Sequence, residues 1–99
     1  MIEVRETSAF SDWIKKLKDP SAKAKVLVRV RRLSLGLSGD VEPVGEGVSE
    51  LKIHYGPGYR IYVMARGNAL VILLGGGDKS TQAADIKAAK KLAKEIKGA

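Results

Sequence analysis

The chain has no cysteine and a single histidine, His54, among its 99 residues. The absence of cysteine excludes disulfides, thiolate zinc sites and cysteine nucleophiles. One histidine with scattered carboxylates gives no cluster with metal-ligand spacing, so we expect neither a metal nor a cofactor. Any catalysis would then depend on lysine, arginine, histidine, tyrosine, serine or carboxylate side chains.

Long apolar runs are absent as well. No segment has the unbroken apolar length that crosses a bilayer, and the N-terminal MIEVRETS lacks the charged-then-apolar layout of a signal peptide. We therefore expect a cytoplasmic protein without a membrane partner. A chain of 99 residues has too few apolar side chains to form two cores, which predicts a single domain over residues 1–99.

Basic charge is in excess. The chain has 18 Lys+Arg against 11 Asp+Glu, a formal net charge of +7, and eight of the basic residues fall between Lys15 and Arg32. A field of this sign attracts phosphate polymers and acidic proteins. We predict that this segment holds RNA backbone nonspecifically, with a purely solubilising face as the alternative. The candidate RNA-binding residues are Lys15, Lys16, Lys23, Arg29 and Arg32.

Two helices are predicted after a short strand in which Ile2 and Val4 alternate with charged residues. Thr7 or Ser8 caps the first helix, whose apolar stripe is Phe10, Trp13, Ile14 and Leu17. The second helix starts with an Asp19 cap and Pro20, runs to about Leu35 and ends at Gly36. Its predicted buried residues are Ala22, Val26, Val30, Leu33 and Leu27. The two helices form a hairpin.

The second half of the chain predicts strands and a last helix. The run SGDVEPVGEG reads as a polar loop or an irregular strand, without assigned chemistry. Strands are predicted at about 48–55, 59–66 and 69–74, joined by Gly-Pro-Gly and by a two-residue Gly67-Asn68 turn. A helix over STQAADIKAAKKLAKEIK has Ala83, Ile86, Ala89, Ala93 and Ile96 on one side. The order β-α-α-β-β-β-α indicates an α+β fold, with helices packed on an antiparallel sheet.

The Gly-Pro-Gly loop predicts which residues of the first hairpin share a face. If Tyr55 and Tyr59 close a three-residue loop, His54 lies opposite Arg60. The same count pairs Lys52 with Tyr62, Ile53 with Ile61 and Leu51 with Val63. Because strand side chains alternate between faces, one face is core and the other polar. The core face holds Leu51, Ile53, Ile61 and Val63; the polar face holds Lys52, His54, Arg60 and Tyr62.

The second hairpin brings another basic residue toward this polar face. A two-residue turn places Arg60 beside Gly75, which begins the run GGGDKSTQ, so Lys79 is expected nearby. Three glycines would let the backbone approach a ligand closely, and Ser80 or Thr81 would cap the last helix. The run lacks the glycine spacing of a P-loop, which excludes a nucleotide cofactor of that kind.

The cluster has the side chains for cleaving RNA without a metal. Attack of a 2′-OH on the adjacent phosphate needs a base, an acid for the departing 5′-oxygen, and cations for the charge on phosphorus. His54 is a candidate base or acid, and Lys52 is another if Arg60 and Lys79 lower its pKa. Arg60 and Lys79 would bind phosphate, and Tyr62 would stack on a base or position the phosphate. The alternative is that these residues form an ordinary solvent-exposed face of the sheet and have no catalytic role.

Two sequence runs resemble a known family. ELKIHYGPGYRIYV and LLGGGDKSTQAADIKAAKKLAKEI are similar to the RelE/ParE superfamily of toxin–antitoxin toxins, in particular its HigB-like branch of phage-related addiction-module killer proteins. The resemblance covers nearly the whole chain and implies a RelE-like fold, in which the N-terminal strand makes the sheet mixed.

The resemblance also implies an activity and its partners. It implies a metal-free mRNA interferase that cuts translated messages in the ribosomal A site, is neutralised by a cognate antitoxin, and reaches promoter DNA only through the antitoxin complex. By position, the family's basic residues match Lys52, His54, Arg60 and Lys79, but the aromatic or histidine near the C-terminus has no counterpart after Tyr62. The alternatives are a ParE-like toxin that binds DNA gyrase without catalysis, and a weakly active toxin that mainly regulates its own operon.

Overall fold

A five-stranded mixed sheet organises the computed structural model of the protein, which describes residues 1–98. The elements are β1 (Glu3–Glu6), α1 (Ser8–Lys16), α2 (Pro20–Ser34), β2 (Val41–Gly45), β3 (Val48–Ile53), β4 (Tyr59–Arg66), β5 (Leu70–Gly77), a 3₁₀ turn (Lys79–Thr81) and α3 (Gln82–Gly98). The strand order is β1-β5-β4-β3-β2, with β1 parallel to β5 and the other pairs antiparallel. The predicted α+β fold is confirmed, and the architecture is compatible with a RelE-like fold. None of the helices within residues 1–98 combines the length and apolarity needed to span a membrane.

The helix boundaries follow the predicted caps. The Thr7 hydroxyl accepts a hydrogen bond from the Phe10 N–H at 3.3 Å, and the Asp19 carboxylate accepts from the first turn of α2. Gly36 follows α2 with φ +82°, a left-handed conformation that favours glycine. Both predicted helix starts and the predicted end of α2 are therefore confirmed.

Two cores cover the two faces of the sheet. Under α1 and α2, Phe10, Val26 and Leu33 pack against inward-facing residues of β3, β4 and β5. On the opposite face, Ala89 and Ala93 of α3 pack against Val48, Tyr62, Met64, Ile72 and Leu74. The face that was predicted to be polar is therefore largely a second core, because α3 covers it.

Two predicted burials are wrong. Leu27 is 49% exposed, because it follows the buried Val26 and successive residues on a helix point about 100° apart. Ala83 is also exposed, at the beginning of α3, whereas Ala89 and Ala93 are buried and Ile86 and Ile96 are partly buried.

The first hairpin has a longer loop than predicted. Ile53 pairs with Tyr59, Lys52 with Arg60 and Leu51 with Ile61, so the pairing differs by two positions from the predicted one. A shift of two leaves every side chain on its face, because the strand period is two. The predicted division into faces is therefore correct, although the predicted partners are wrong.

The second hairpin brings the start of α3 closer to the first hairpin. Its turn has three residues rather than two, and a bulge between Tyr62 and Val63 adds a further shift. As a result Arg60 pairs with Gly77, where the prediction had Gly75. Because β5 continues to Gly77, Lys79 follows the partner of Arg60 by only two residues.

The segment before β3 forms an edge strand. The residues Val41–Gly45 pair antiparallel with β3, and the pairing is irregular between Pro43 and Gly45. The irregular-strand alternative for SGDVEPVGEG is therefore correct.

Candidate active site

Four of the predicted catalytic residues line one cleft of about 490 Å³ at the tip of the β3–β4 hairpin. Lys52 lies near the end of β3 and His54 follows it, Arg60 lies at the start of β4, and Lys79 opens the 3₁₀ turn after β5. The geometry therefore gathers Lys52, His54, Arg60 and Lys79 around one space. Their catalytic roles stay predictions.

The Gly-Pro-Gly turn shapes this cleft. Gly56 and Gly58 have φ values of +56° and +82°, a backbone conformation that residues with a Cβ rarely adopt. A Cβ on Gly58 would lie 3.2 Å from Nη1 of Arg60 and 3.8 Å from Cβ of Lys79. The glycine thus lets the turn lie directly against both basic residues. The turn tyrosines pack against the core under α1 and α2, as expected.

A buried carboxylate holds Arg60. Glu50 is 2% exposed and accepts hydrogen bonds from Nε of Arg60 at 2.5 Å and from Nε2 of Gln82 at 2.7 Å. Arg60 also donates through Nη1 to the Gly58 carbonyl at 2.7 Å. Within the described residues no hydrogen bond engages Nη2, and Arg60 lines the cleft. Glu50 and the Gly58 carbonyl therefore fix the guanidinium, and the Arg60 side chain is 12% exposed.

The sequence prediction missed Glu50 because the predicted register did not place it beside the site. The structure puts Glu50 opposite Tyr62 and two residue pairs away from Lys52–Arg60, on the same face of the sheet. A signal was present: Glu50 is an acid at a position that shares a strand face with buried Val48. A charge on a buried strand face requires a partner, and in the observed register that partner is Arg60.

The predicted lowering of the Lys52 pKa is wrong. Nζ of Lys52 donates to a Glu42 carboxylate oxygen at 2.6 Å, and this ion pair raises the pKa of Lys52. The prediction counted only the cations Arg60 and Lys79 and overlooked the acids of β2. Lys52 is therefore a stable positive charge in this site.

His54 has a carboxylate partner from the same overlooked segment. Its Nε2 lies 2.5 Å from Oδ2 of Asp40, and both side chains are mostly exposed. The hydrogen bond to His54 lowers the pKa of Asp40. Asp40 and Glu42 flank Val41, which pairs with Leu51, so the acids lie beside the bases of β3. Opposite charges at alternate positions of both segments were the available signal.

Tyr62 does not lie in the cleft. Its ring is fully buried in the core under α3, at 0% exposure, and its hydroxyl has no hydrogen-bond partner among the described residues. Burial raises the pKa of Tyr62. The predicted stacking of Tyr62 on an RNA base is therefore wrong, because α3 occupies the space above this part of the polar face.

The glycines at the end of β5 serve packing within the protein. A Cβ on Gly76 would lie 2.3 Å from a ring carbon of Trp13, and one on Gly77 would lie 1.9 Å from a carboxylate oxygen of Asp85. The interpretation that these two glycines admit a ligand is wrong. The cap of the turn also differs from prediction: the Ser80 hydroxyl and the Ser80 N–H both donate to the Asp78 carboxylate, and these bonds lower the pKa of Asp78.

The predicted RNA-binding cations have different surroundings. Lys15, Lys16 and Arg32 are exposed, and Lys23 is half-buried. Arg29 is also half-buried, and its guanidinium donates to the carbonyls of Lys52, Ser38 and Asp40. Arg29 therefore fastens α2 to β3 and to the loop that carries Asp40. RNA binding by these five residues stays a prediction.

The model of the phage-derived protein Gp49-like family (DUF891) matches residues 12–97, which include every residue of the cleft. The chain belongs to the phage-derived Gp49-like family. A Haemophilus influenzae protein described as uncharacterized is 50% identical over 95 residues, which is 96% of each chain. The Gp49-like family is toxin-like and related to RelE and HigB toxins, so the resemblance noted in the sequence is supported at the level of the family.

Proposed function

We propose that this Gp49-like protein is the toxin of a type II toxin–antitoxin module and a metal-independent endoribonuclease that cuts mRNA on the ribosome. The observation that carries the proposal is the cleft in which Lys52, His54, Arg60 and Lys79 come together. Three cations and a histidine around one space of this size suit an RNA phosphodiester. Membership of a toxin-like family supports the same class of function.

The contacts favour particular roles in cleavage. The raised pKa of Lys52 keeps it protonated, which suits stabilisation of charge rather than proton abstraction. His54 is then the better candidate for the base that activates the 2′-OH. Arg60 presents its free Nη2 side to the phosphate, and Lys79 adds a second charge from the 3₁₀ turn.

The carboxylates of the β2 segment would give way to the substrate. Asp40 and Glu42 are mostly exposed, and exposed ion pairs are weak and exchange readily. A phosphate entering the cleft competes with Glu42 for Lys52. Asp40, whose Oδ2 lies 2.5 Å from Nε2 of His54, orients the imidazole until RNA binds.

The partners of this function are an antitoxin, which masks the basic cleft, and the ribosomal A site with its mRNA. Promoter DNA is contacted only through the antitoxin complex, and the protein acts in the cytoplasm. The competing proposals are inhibition of DNA gyrase by binding and weak activity coupled to operon regulation. The cleft favours the nuclease, because a gyrase inhibitor has no need for a gathered base and phosphate-binding cations.

The test is induction of the wild-type protein and of Arg60→Ala in a bacterium, with mapping of new mRNA 5′ ends. We expect growth arrest and ribosome-dependent cuts with the wild type, and neither with Arg60→Ala. Arg66→Ala is the matched control, because Arg66 is an exposed arginine at the other end of the same strand. Growth arrest with intact mRNA and DNA damage signalling would favour gyrase, and absence of arrest would overturn the toxin proposal.

A further inference from the structure

Exposed aliphatic side chains are concentrated in one segment. Within residues 1–98, the large apolar side chains that are exposed, apart from Met1, all lie between residues 27 and 41. They are Leu27 (49%), Val28 (47%), Leu35 (54%), Leu37 (58%) and Val41 (39%). Single exposed apolar residues are ordinary, but a cluster on one surface marks a site of interaction.

On α2 these side chains form a continuous surface with cations. Residues three and four apart are neighbours on a helix, so Leu27 lies beside Arg31 and Val28 beside Arg32. Leu35, at the end of the helix, continues the line of Leu27 and Arg31. We name Leu27, Val28, Arg31, Arg32 and Leu35 the α2 patch.

A groove runs beside the α2 patch and ends at the candidate active site. Cavities of about 390 and 730 Å³ share Arg29, Arg32 and Asp40, and the larger one reaches Leu37. The smaller cavity is lined by Val28 and also shares Lys52 and His54 with the catalytic cleft. An occupant of this groove would therefore contact Val28 on α2 and Leu37 in the loop after it, and it would approach Lys52 and His54 at the end of the groove.

We propose that the α2 patch and its groove bind a protein segment that carries both acidic and aliphatic side chains. The aliphatic residues of the patch require apolar counterparts to leave water. Arg31 and Arg32, in a chain of net charge +7, attract carboxylates and repel basic partners. The proposal rests on the proposed function only for the role of this partner, which is to block the catalytic cleft from its open side.

The surface favours a protein segment over RNA. Arg31 and Arg32 could contact either partner, but the apolar residues of the patch are leucine and valine, and unpaired bases prefer aromatic planes. The aromatic residue at the edge of the groove, Tyr55, is partly buried, and Nζ of Lys25 lies 5.1 Å from its ring centre. A second copy of the chain is disfavoured, because it would bring the same arginines together.

The test is an NMR titration of the ¹⁵N-labelled full-length protein with defined probes. The first probe is a synthetic helical peptide with leucines four residues apart and glutamates on both flanks. The second has the same composition in an order that puts no two leucines on one face, and the third is a single-stranded oligouridine. We expect the first peptide to shift amides of the α2 patch and to bind about tenfold more tightly than the second, a difference of about 1.4 kcal/mol.

Surface variants locate the binding. We expect two patch variants each to weaken binding of the first peptide about tenfold: Arg31→Glu and the double variant Leu27→Gln/Val28→Gln. The controls on α3, Lys87→Glu and Ala84→Gln, introduce a charge reversal and a glutamine at exposed positions and are expected to bind normally. Thermal unfolding verifies that all variants fold.

Three results would overturn the proposal. Equal binding of both peptides means that charge alone attracts them, and shifts of the patch by oligouridine alone assign the surface to RNA. Patch shifts that depend on protein concentration without any probe assign it to self-association. None of these measurements uses RNA cleavage, so failure of the nuclease proposal is seen separately, in the mapping of mRNA ends.

Discussion

Arg60 is anchored to Glu50 beneath the candidate active site. The side chains are only 12% and 3% exposed, and Nε of Arg60 lies 2.5 Å from the carboxylate. The pair joins the two strands of the first hairpin, and Gln82 adds the first residue of α3 through its own hydrogen bond to Glu50. The position of Arg60 at the cleft is thus set by its contact with a buried carboxylate.

Removal of Glu50 is expected to destabilise the protein and to misplace Arg60. Glu50→Ala leaves a buried guanidinium without its partner, which costs about 3 kcal/mol in the free energy of unfolding. Urea denaturation measures this cost. Glu42→Ala, which breaks the exposed pair with Lys52, is the control and is expected to change stability little. Equal losses of stability from Glu50→Ala and Glu42→Ala would show that the buried ion pair stabilises the fold no more than the exposed one.

A conservative variant separates positioning from stability. Glu50→Asp keeps the charge but shortens the side chain, so we expect the fold to persist while the guanidinium moves away from the cleft. Cleavage by the folded variant should be slower, with KM raised if Arg60 binds the ground-state phosphate and kcat lowered if it binds the transition state. If Glu50→Asp changes neither the cleavage kinetics nor the stability, Glu50 does not position Arg60.

Lys52 and His54 are expected to respond differently to substitution. Lys52→Arg preserves positive charge and should retain much of the cleavage activity, because Lys52 is protonated in our assignment. His54→Gln removes the candidate base and should slow cleavage by about 10²–10⁴-fold. Single-turnover cleavage of mRNA on purified ribosomes measures both. If Lys52→Arg were inactive and His54→Gln active, the assignment of the base would be reversed.

Replacement of Gly58 by alanine is expected to lower both the stability and the cleavage activity of the protein. Gly58→Ala places a Cβ at φ +82° and 3.2 Å from Nη1 of Arg60, whereas Gly67→Ala has φ +62° and no atom within 4 Å. Both should lose about 1 kcal/mol of stability from the left-handed backbone. Cleavage should fall only in Gly58→Ala. Equal activity of both variants would mean that the turn does not control Arg60.

Acid should weaken the cap before α3. Hydrogen bonds from Ser80 lower the pKa of Asp78 below its ordinary value of 3.8. A carboxyl whose pKa is lower in the folded protein contributes stability above the unfolded value and loses it as the pH falls through the folded value. Asp78→Ala should cost about 1 kcal/mol at neutral pH, and this difference should shrink below about pH 4. A difference that stays constant down to pH 2 would assign the effect to something other than ionisation.

Prediction from sequence succeeded where local chemistry decides the outcome. The caps Thr7 and Asp19 and the end at Gly36 follow from backbone geometry and nearby hydrogen bonds. The gathering of Lys52, His54 and Arg60 followed from strand alternation, which tolerated a register error of two residues. Glu50 was missed because the predicted register placed it two positions too far from Arg60. Asp40 and Glu42 were missed because they belong to another segment, about which alternation within one hairpin says nothing.

The sequence by itself determined the helix starts, the division of the first hairpin into two faces, and the excess of basic charge, because each depends on residue types at short spacing. Tertiary structure alone decided that α3 covers Tyr62, that Trp13 and Asp85 pack against Gly76 and Gly77, and that carboxylates pair with Lys52 and Arg60. These outcomes depend on the bulge in β4 and on the strand that pairs beside β3. The packing of the whole sheet determines both features, and local sequence patterns do not encode that packing.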